Sequence, residues 1–200
     1  KVDVTTDAPH FLSGDELHGR VLARYLFGGA LAHAESKWSV VRSTVDFQPE
    51  NQNGFTFGAQ TWWWDDERPE PSSNTFGAGE AKTDAMGAIE INAGQVEAAG
   101  DRTWQYTLEA EVTDVNRQRM AGRSSVLVHP AAAYAGIRTR SEGFAQVGKP
   151  FELEFVAATP EGERRADVAL DISISRRDWK SIRKKGVGDR WFTITEPTEE

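Results

Sequence analysis

The 200-residue sequence contains no cysteine. Disulfides, zinc sites with thiolate ligands and cysteine nucleophiles are therefore excluded within this chain. The compartment stays open, because proteins of oxidising compartments can also lack disulfides. The sequence also lacks an apolar run of about 18 residues and, at its N-terminus, the hydrophobic core of a signal peptide. Its first residue is Lys1 rather than Met, and we expect it to be part of a longer chain.

Positive charge is scarce as well. The chain has 23 Lys and Arg against 31 Asp and Glu, which gives a formal net charge of -8. Nucleic acids and anionic membrane surfaces attract proteins with a positive footprint, so we expect neither as a partner. One basic run stands out, and it indicates a solvated loop or a surface for acidic neighbouring domains. It consists of Arg176, Arg177, Lys180, Arg183, Lys184 and Lys185.

Apolar and aromatic residues are plentiful, at 38% hydrophobic with seven Trp and ten Phe, so the chain is expected to fold. Its clearest pattern is WQYTLEAEVT from Trp104 to Thr113, where apolar and polar residues alternate as in a half-buried strand. A polar turn at Asp114 to Gln118 and a return strand toward Val128 complete a hairpin. A hairpin cannot bury its own apolar face, so an opposing sheet is required.

Upstream residues supply strands for that sheet. Alternation predicts strands near Val2 and over residues 16–27, 36–42 and 88–92, separated by glycine-rich turns and with no convincing helix. This pattern predicts an all-β fold of the immunoglobulin or fibronectin type III kind, an antiparallel β-sandwich over residues 1–130.

A second set of predicted strands begins after Pro130. Strands are expected over residues 135–140, 151–157 and 168–175, and a last one near Trp191. Nothing after them resembles the hairpin of the first domain. The sequence therefore predicts a second β-sandwich domain over residues 131–200 that is truncated.

Residues 44–86 lose the alternation and form a long connection, which is either functional or contains a missed element. Within it, Trp62, Trp63 and Trp64 precede three acidic residues. One or two of the indoles would plug the end of the sandwich or a neighbouring domain, or else the cluster is an exposed contact for a protein or sugar partner. Sequence alone leaves both readings open.

The sequence gives little support for catalysis or metal binding by its histidines and carboxylates. We therefore predict no catalytic residues, no metal site and no cofactor. None of the four histidines lies beside a nucleophile motif or at metal-ligand spacing, so solvated strand positions are expected for them. Asp65, Asp66 and Glu67 lack the spacing of a calcium loop. The histidines are His10, His18, His33 and His129.

Four stretches together resemble macroglobulin-like domains of the bacterial α2-macroglobulin family. FLSGDELHGRVLARYLFGGAL is similar to the opening of such a domain, although Gly29-Ala30 replaces the usual proline turn. TVDFQPENQNGFTFG resembles the aromatic connection, and TWQYTLEAEVTDVNRQRMAGRSSVLV resembles the closing hairpin. AYAGIRTRSEGFAQVGKPFELEFVAATPEGERRADVALDISISRRDW resembles the start of the next domain.

The resemblance implies a non-enzymatic scaffold fragment of a broad-spectrum protease inhibitor, which cages a protease after the protease has cut a bait segment. Its partners would be the neighbouring macroglobulin domains and, through the whole protein, target proteases. It also implies a periplasmic, lipid-anchored parent with no direct membrane contact from this fragment. The family's thioester needs a cysteine, which this chain lacks.

Two alternatives stay open at this point. The chain could be an immunoglobulin-like accessory module of a secreted carbohydrate-active enzyme, in which Trp62 to Trp64 stack on sugars. It could also be an adhesin spacer, although spacer repeats are expected to be more uniform in length than these two domains.

Overall fold

The computed structural model describes residues 1–58, 73–100, 102–140, 146–174, 177–185 and 191–199. Every regular element in those ranges is a β-strand, and no helix there is long and apolar enough to cross a bilayer. The strands are β1 Val2–Thr6, β2 His10–Leu12, β3 Glu16–Ala23, β4 Glu35–Val45, β5 Thr56–Phe57, β6 Ser73–Lys82, β7 Ala88–Gln95, β8 Thr103–Thr113, β9 Arg119–His129, β10 Tyr134–Thr139, β11 Leu153–Ala158, β12 Arg177–Lys185 and β13 Trp191–Glu199.

Two sheets face each other and form a sandwich, which confirms the predicted fold class. One sheet has the order β1-β3-β7 and the other the order β2-β9-β8-β4-β6. The strands pair antiparallel, except that β2 runs parallel to β9, with His10 opposite Leu127. The first twelve residues therefore supply an edge strand to each sheet.

The central hairpin forms as its alternation predicts. Leu108 is 1% exposed and lies so close to Gly19 of the opposite sheet that a side chain on Gly19 would overlap it. At the hairpin's end, the Asp114 carboxylate accepts the backbone amides of Asn116 and Gln118, each at 2.8 Å. The inward side chains of β8 are all buried, namely Trp104, Tyr106, Leu108, Ala110 and Val112. Burial of this row contributes hydrophobic stabilisation to the sandwich.

The expected connection over residues 44–86 contains β6, which the sequence did not reveal. This strand pairs with β4 along its length, and Trp38 of β4 lies opposite Gly79. A side chain at Gly79 would lie 2.8 Å from the Trp38 indole, so the glycine leaves room for that ring. The glycines that hide the strand pattern in the sequence are therefore part of the packing.

Two other strand predictions differ from the structure. The strand expected over residues 16–27 ends at Ala23, because the Tyr25 amide bonds the Gly29 carbonyl at 2.7 Å and turns the chain. Phe27 is consequently 85% exposed. Residues 168–174 form no strand, and Ile174 is 81% exposed. Their alternation is real, but alternation alone makes no strand without a neighbour to pair with.

Two smaller sheets complete the described chain. One has the order β11-β10-β5 and the other is the β12-β13 hairpin. Compact packing divides the chain into Lys1–Ala166 and Asp167–Glu200. The first unit contains the sandwich and the β11-β10-β5 sheet, and the second contains β12 and β13. The domain boundary expected near Pro130 stays a prediction.

Candidate functional site

Several residues singled out from the sequence cannot be placed. Trp62, Trp63 and Trp64 lie outside the described residues, as do Asp65 to Glu67 and Arg176. The partner contact predicted for the three indoles stays a prediction. The remaining basic residues, Arg177 to Lys185, lie on β12.

The histidines fall into two groups. His18 is partly exposed beside Glu16, at 3.2 Å, and the His33 backbone has a φ of 56° in a turn. His10 and His129 instead come together edge to face, with ring centroids 5.5 Å apart. The expectation that all four are solvated was wrong for His129, which is 1% exposed. In the part of the chain that the structure describes, no three His, Asp or Glu side chains could hold a metal.

His129 is the centre of an aromatic cluster where the sandwich meets β10. Phe47, which follows β4, packs against His129 at 4.7 Å and against Tyr134 at 5.1 Å between ring centroids. The Tyr134 hydroxyl lies 2.6 Å from His129 Nδ1 and 2.6 Å from the Thr103 hydroxyl. The cluster thus joins the ends of β8 and β9 to the first residue of β10.

Burial sets the electrostatics of this cluster. Loss of solvent, and then the neighbouring His10 imidazole, lowers the pKa of His129 from 6.5 to about 4, so its ring is neutral at pH 7. Burial also raises the pKa of Tyr134, which keeps its phenol protonated. On the solvent side, His10 Nε2 lies 3.4 Å from a Glu161 carboxylate oxygen. The residue's own backbone amide and the Thr159 hydroxyl hold the pKa of Glu161 below its ordinary value.

Gln52 forms a second link between the sandwich side and the turn after β11. Gln52 is 4% exposed. Its Nε2 donates a hydrogen bond to the Gly162 carbonyl at 2.7 Å, and its Oε1 accepts one from Arg164 Nε at 3.1 Å. A side chain on Gly162 would overlap the Glu50 carbonyl, and Gly162 has a φ of 85°. Only glycine fits both the space and the backbone conformation there.

Phe55 forms a third link. It is 5% exposed and lies beneath two guanidinium groups, with Arg138 at 4.3 Å and Arg164 at 5.4 Å from the ring centroid. Such cation–π contacts gain strength where the ring is desolvated. Arg138 is held in place by Glu154, whose carboxylate oxygen accepts from Nε at 2.9 Å and from Nη2 at 2.7 Å.

The joint, as we call it, comprises residues 46–58 together with the ends of β8 and β9, the strands β10 and β11, and the turn 159–164. In addition to the three links, β5 within residues 46–58 pairs with β10, where Phe57 lies opposite Gly136. A side chain on Gly136 would lie 2.6 Å from the Phe57 ring. The backbone, aromatic and polar contacts all connect residues 46–58 to the β11-β10-β5 sheet and to the turn that follows it.

The joint offers no open reaction site. It does contain hydroxyl groups hydrogen-bonded to an imidazole, since Thr103 contacts Tyr134 and Tyr134 contacts His129. Thr103 is 2% exposed and His129 is 1% exposed, so a substrate cannot reach either group. General-base catalysis needs a substrate proton within hydrogen-bond distance of the base, and this geometry forbids it.

Sequence reasoning did not find the joint. Residues 47–57 were noted for their FQPENQNGFTF pattern, and Pro130 for the break in strand alternation. Neither signal shows that the two regions meet, because their contacts span up to 112 residues of sequence, from Gln52 to Arg164.

Comparison with known proteins gives a consistent result. No protein-family model matches the chain. A curated α2-macroglobulin homologue from Nostoc sp. is 28% identical over 184 residues, which is 91% of this chain and 9% of that protein. This chain therefore spans about a tenth of that relative.

Solved structures show the same fold. Escherichia coli α2-macroglobulin activated by porcine elastase matches 100% of this chain and 18% of its own, with a TM-score of 0.65 and 16% identity. Salmonella α2-macroglobulin reacted with methylamine matches 100% of this chain and 14% of its own, with a TM-score of 0.62 and 17% identity. The native E. coli protein matches with a TM-score of 0.60 and 16% identity, over 100% of this chain and 13% of its own.

Proposed function

We propose that this chain is a member of the bacterial α2-macroglobulin family and a structural scaffold segment of a protease-trapping protein. Its contribution is mechanical, in that it holds consecutive parts of the parent protein at a fixed angle. It makes and breaks no bond itself, so it is not an enzyme. The residues that carry this function are those of the joint.

The observation that supports the proposal best is the convergence of three links on one short segment. Phe47, Gln52 and Phe55 each contact the β10–β11 side, and Gln52 and Phe55 are almost fully buried. In a loose linker such side chains would be exposed to solvent, because connecting segments normally run over the protein surface. A segment fixed in this way transmits force between the elements that it connects.

The parent protein supplies the rest of the proposal. One similar structure is of an E. coli protein activated by porcine elastase, which supports a response to proteases in the relatives. We propose neighbouring macroglobulin domains as the direct partners of this segment and proteases as targets of the whole protein. We further propose a periplasmic location, with any lipid anchor outside these residues.

The test is trapping by the parent protein with a loosened joint. Gln52→Ala removes both side-chain bonds of a buried residue and leaves the Arg164 guanidinium without its amide acceptor. Gln95→Ala is the matched control, since Gln95 is exposed on β7. Trypsin is added to each parent protein, and its activity on a large protein substrate is compared with its activity on a small peptide.

A caged protease keeps activity on the peptide and loses it on the protein. We expect Gln52→Ala to lower the trapped fraction severalfold, whereas Gln95→Ala traps as well as the wild type. Equal trapping by both variants, with the joint shown by hydrogen exchange to be open in Gln52→Ala, would overturn the proposed role.

A further inference from the structure

The aromatic cluster of the joint places an ionisable ring where a charge is hard to accommodate. His129 is 1% exposed, is packed by the Phe47 ring, and has a second imidazole, His10, at 5.5 Å. A proton on His129 would bring a full charge into this site. Burying a charge without a close counter-charge is costly, and proteins respond by expelling either the proton or the side chain.

The charged and titratable groups around His129 come from four elements. His10 approaches from β2, Tyr134 from β10, and Glu161 from the turn after β11. On the side of β8, Arg102 is 3.4 Å from Asp46, and that pair lies next in sequence to the cluster residues Thr103 and Phe47. Glu161 is the carboxylate nearest to the two imidazoles, and it contacts His10.

The two imidazoles differ in their contact with Glu161. His10 Nε2 lies 3.4 Å from a Glu161 carboxylate oxygen, which connects β2 to the turn after β11. Glu161 also attracts a charge on His129, but loss of solvent and the His10 imidazole both outweigh that attraction and hold the pKa of His129 down. A proton on His129 therefore destabilises the packing of its ring.

We propose that the joint is an acid-sensitive latch, in which protonation of His129 expels its ring from its contacts with Phe47 and Tyr134 and releases β10 from the ends of β8 and β9. The step moves one proton from solvent to the imidazole and separates His129 Nδ1 from the Tyr134 hydroxyl, which lies 2.6 Å away in the closed state. Release of β10 also breaks the hydrogen bond between the Tyr134 hydroxyl and the Thr103 hydroxyl of β8. The sandwich core does not depend on these contacts and stays folded.

This latch rests on the joint proposed above, and the experiment separates the two. Amide hydrogen exchange is measured on the 200-residue chain at pH 7 and pH 4.5, with each rate corrected for intrinsic exchange. Protection of β10 reports the joint, and protection of β8 reports the sandwich. The matched variant is His129→Asn, whose amide oxygen can accept the Tyr134 hydroxyl but does not titrate.

In the wild type, the opening equilibrium of β10 should rise roughly 60-fold between pH 7 and pH 4.5, which is the ratio set by a pKa of about 4 when closed and 6.5 when open. Protection of β8 should stay well above that of β10 at both pH values, because β8 exchanges only when the whole sandwich unfolds. In His129→Asn, β10 should respond to pH several times more weakly than in the wild type.

Three results would overturn the latch: unchanged protection of β10 in the wild type, equal protection of β10 and β8 at pH 4.5, or an undiminished response in His129→Asn. If β10 is already unprotected at pH 7, the joint itself is absent and the proposed scaffold role fails with it. Should His129→Asn not fold, the wild type decides by NMR. The His129 ring must then titrate near pH 4 together with the β10 amides, and separate midpoints would refute the proposal.

Discussion

Acidification should weaken the fold through His129 by an amount that follows from its two protonation equilibria. The folded state holds the ring neutral down to a pKa of about 4, whereas the unfolded chain binds a proton at the ordinary value of 6.5. Because the folded value is the lower one, the unfolded state binds more protons as pH falls. The stabilisation is complete above pH 6.5, is lost between 6.5 and 4, and does not change further below that range.

The magnitude is large relative to typical domain stability. Each tenfold ratio of proton affinity is about 1.4 kcal/mol, so a drop from pH 7 to pH 4 should remove about 3 kcal/mol through this one residue. Typical domains have a total stability of about 5–15 kcal/mol. His129 is almost fully buried, so solvent screening does not reduce the figure much.

Urea unfolding of the wild type and of His129→Asn at pH 7 and pH 4 isolates this contribution. Carboxylates elsewhere affect both proteins alike, and the difference between the two pH effects belongs to residue 129. We expect the wild type to lose about 3 kcal/mol more than the variant over this range. Equal losses in the two proteins would show that the ring is not held neutral by burial.

Three further substitutions test the packing. Gly162→Ala should lower the free energy of unfolding by more than about 2 kcal/mol and should open the joint in hydrogen exchange. Gly148→Ala is the control, because Gly148 has a similar positive φ but open space around it, and it should cost only about 1 kcal/mol. Gly79→Ala should lower the free energy of unfolding in urea by about 1–2 kcal/mol, because the added methyl group would overlap the Trp38 indole. Gly77→Ala, where the contact distances are ordinary, should be neutral or slightly stabilising. The reverse order of the two effects would contradict the packing. Tyr106→Phe should cost about 1–3 kcal/mol in thermal or urea unfolding, because its buried hydroxyl serves both the amide and the carbonyl of one backbone residue, and no loss would mean that water replaces it.

Alternation in the sequence was informative where one face of a strand meets the core. From Trp104 to Val112, each apolar position of the pattern is buried in the structure, so the strand and its facing could be read directly. β6 could not be read in this way. Its glycines serve the Trp38 ring of the neighbouring strand, and that requirement comes from β4 rather than from β6 itself.

The joint was beyond sequence reasoning for a related reason. A histidine at the end of a strand is most often solvated, and nothing near residue 129 in the sequence announces Phe47 or His10. Gln52 is similarly unremarkable until the turn at Gly162 is placed against it. Polar residues that are buried by distant partners leave no periodic signal, so tertiary contacts alone decide their role.

The parallel pairing of β2 with β9 has a consequence for biosynthesis. His10 cannot find its partner Leu127 until more than a hundred further residues have been translated. At a usual elongation rate of about 5–20 residues per second, β2 stays without its partner strand for roughly 6 to 23 seconds. During that interval the growing polypeptide exposes unsatisfied backbone groups to neighbouring nascent chains, and a chaperone that shields its first strands would raise the yield of correctly assembled product.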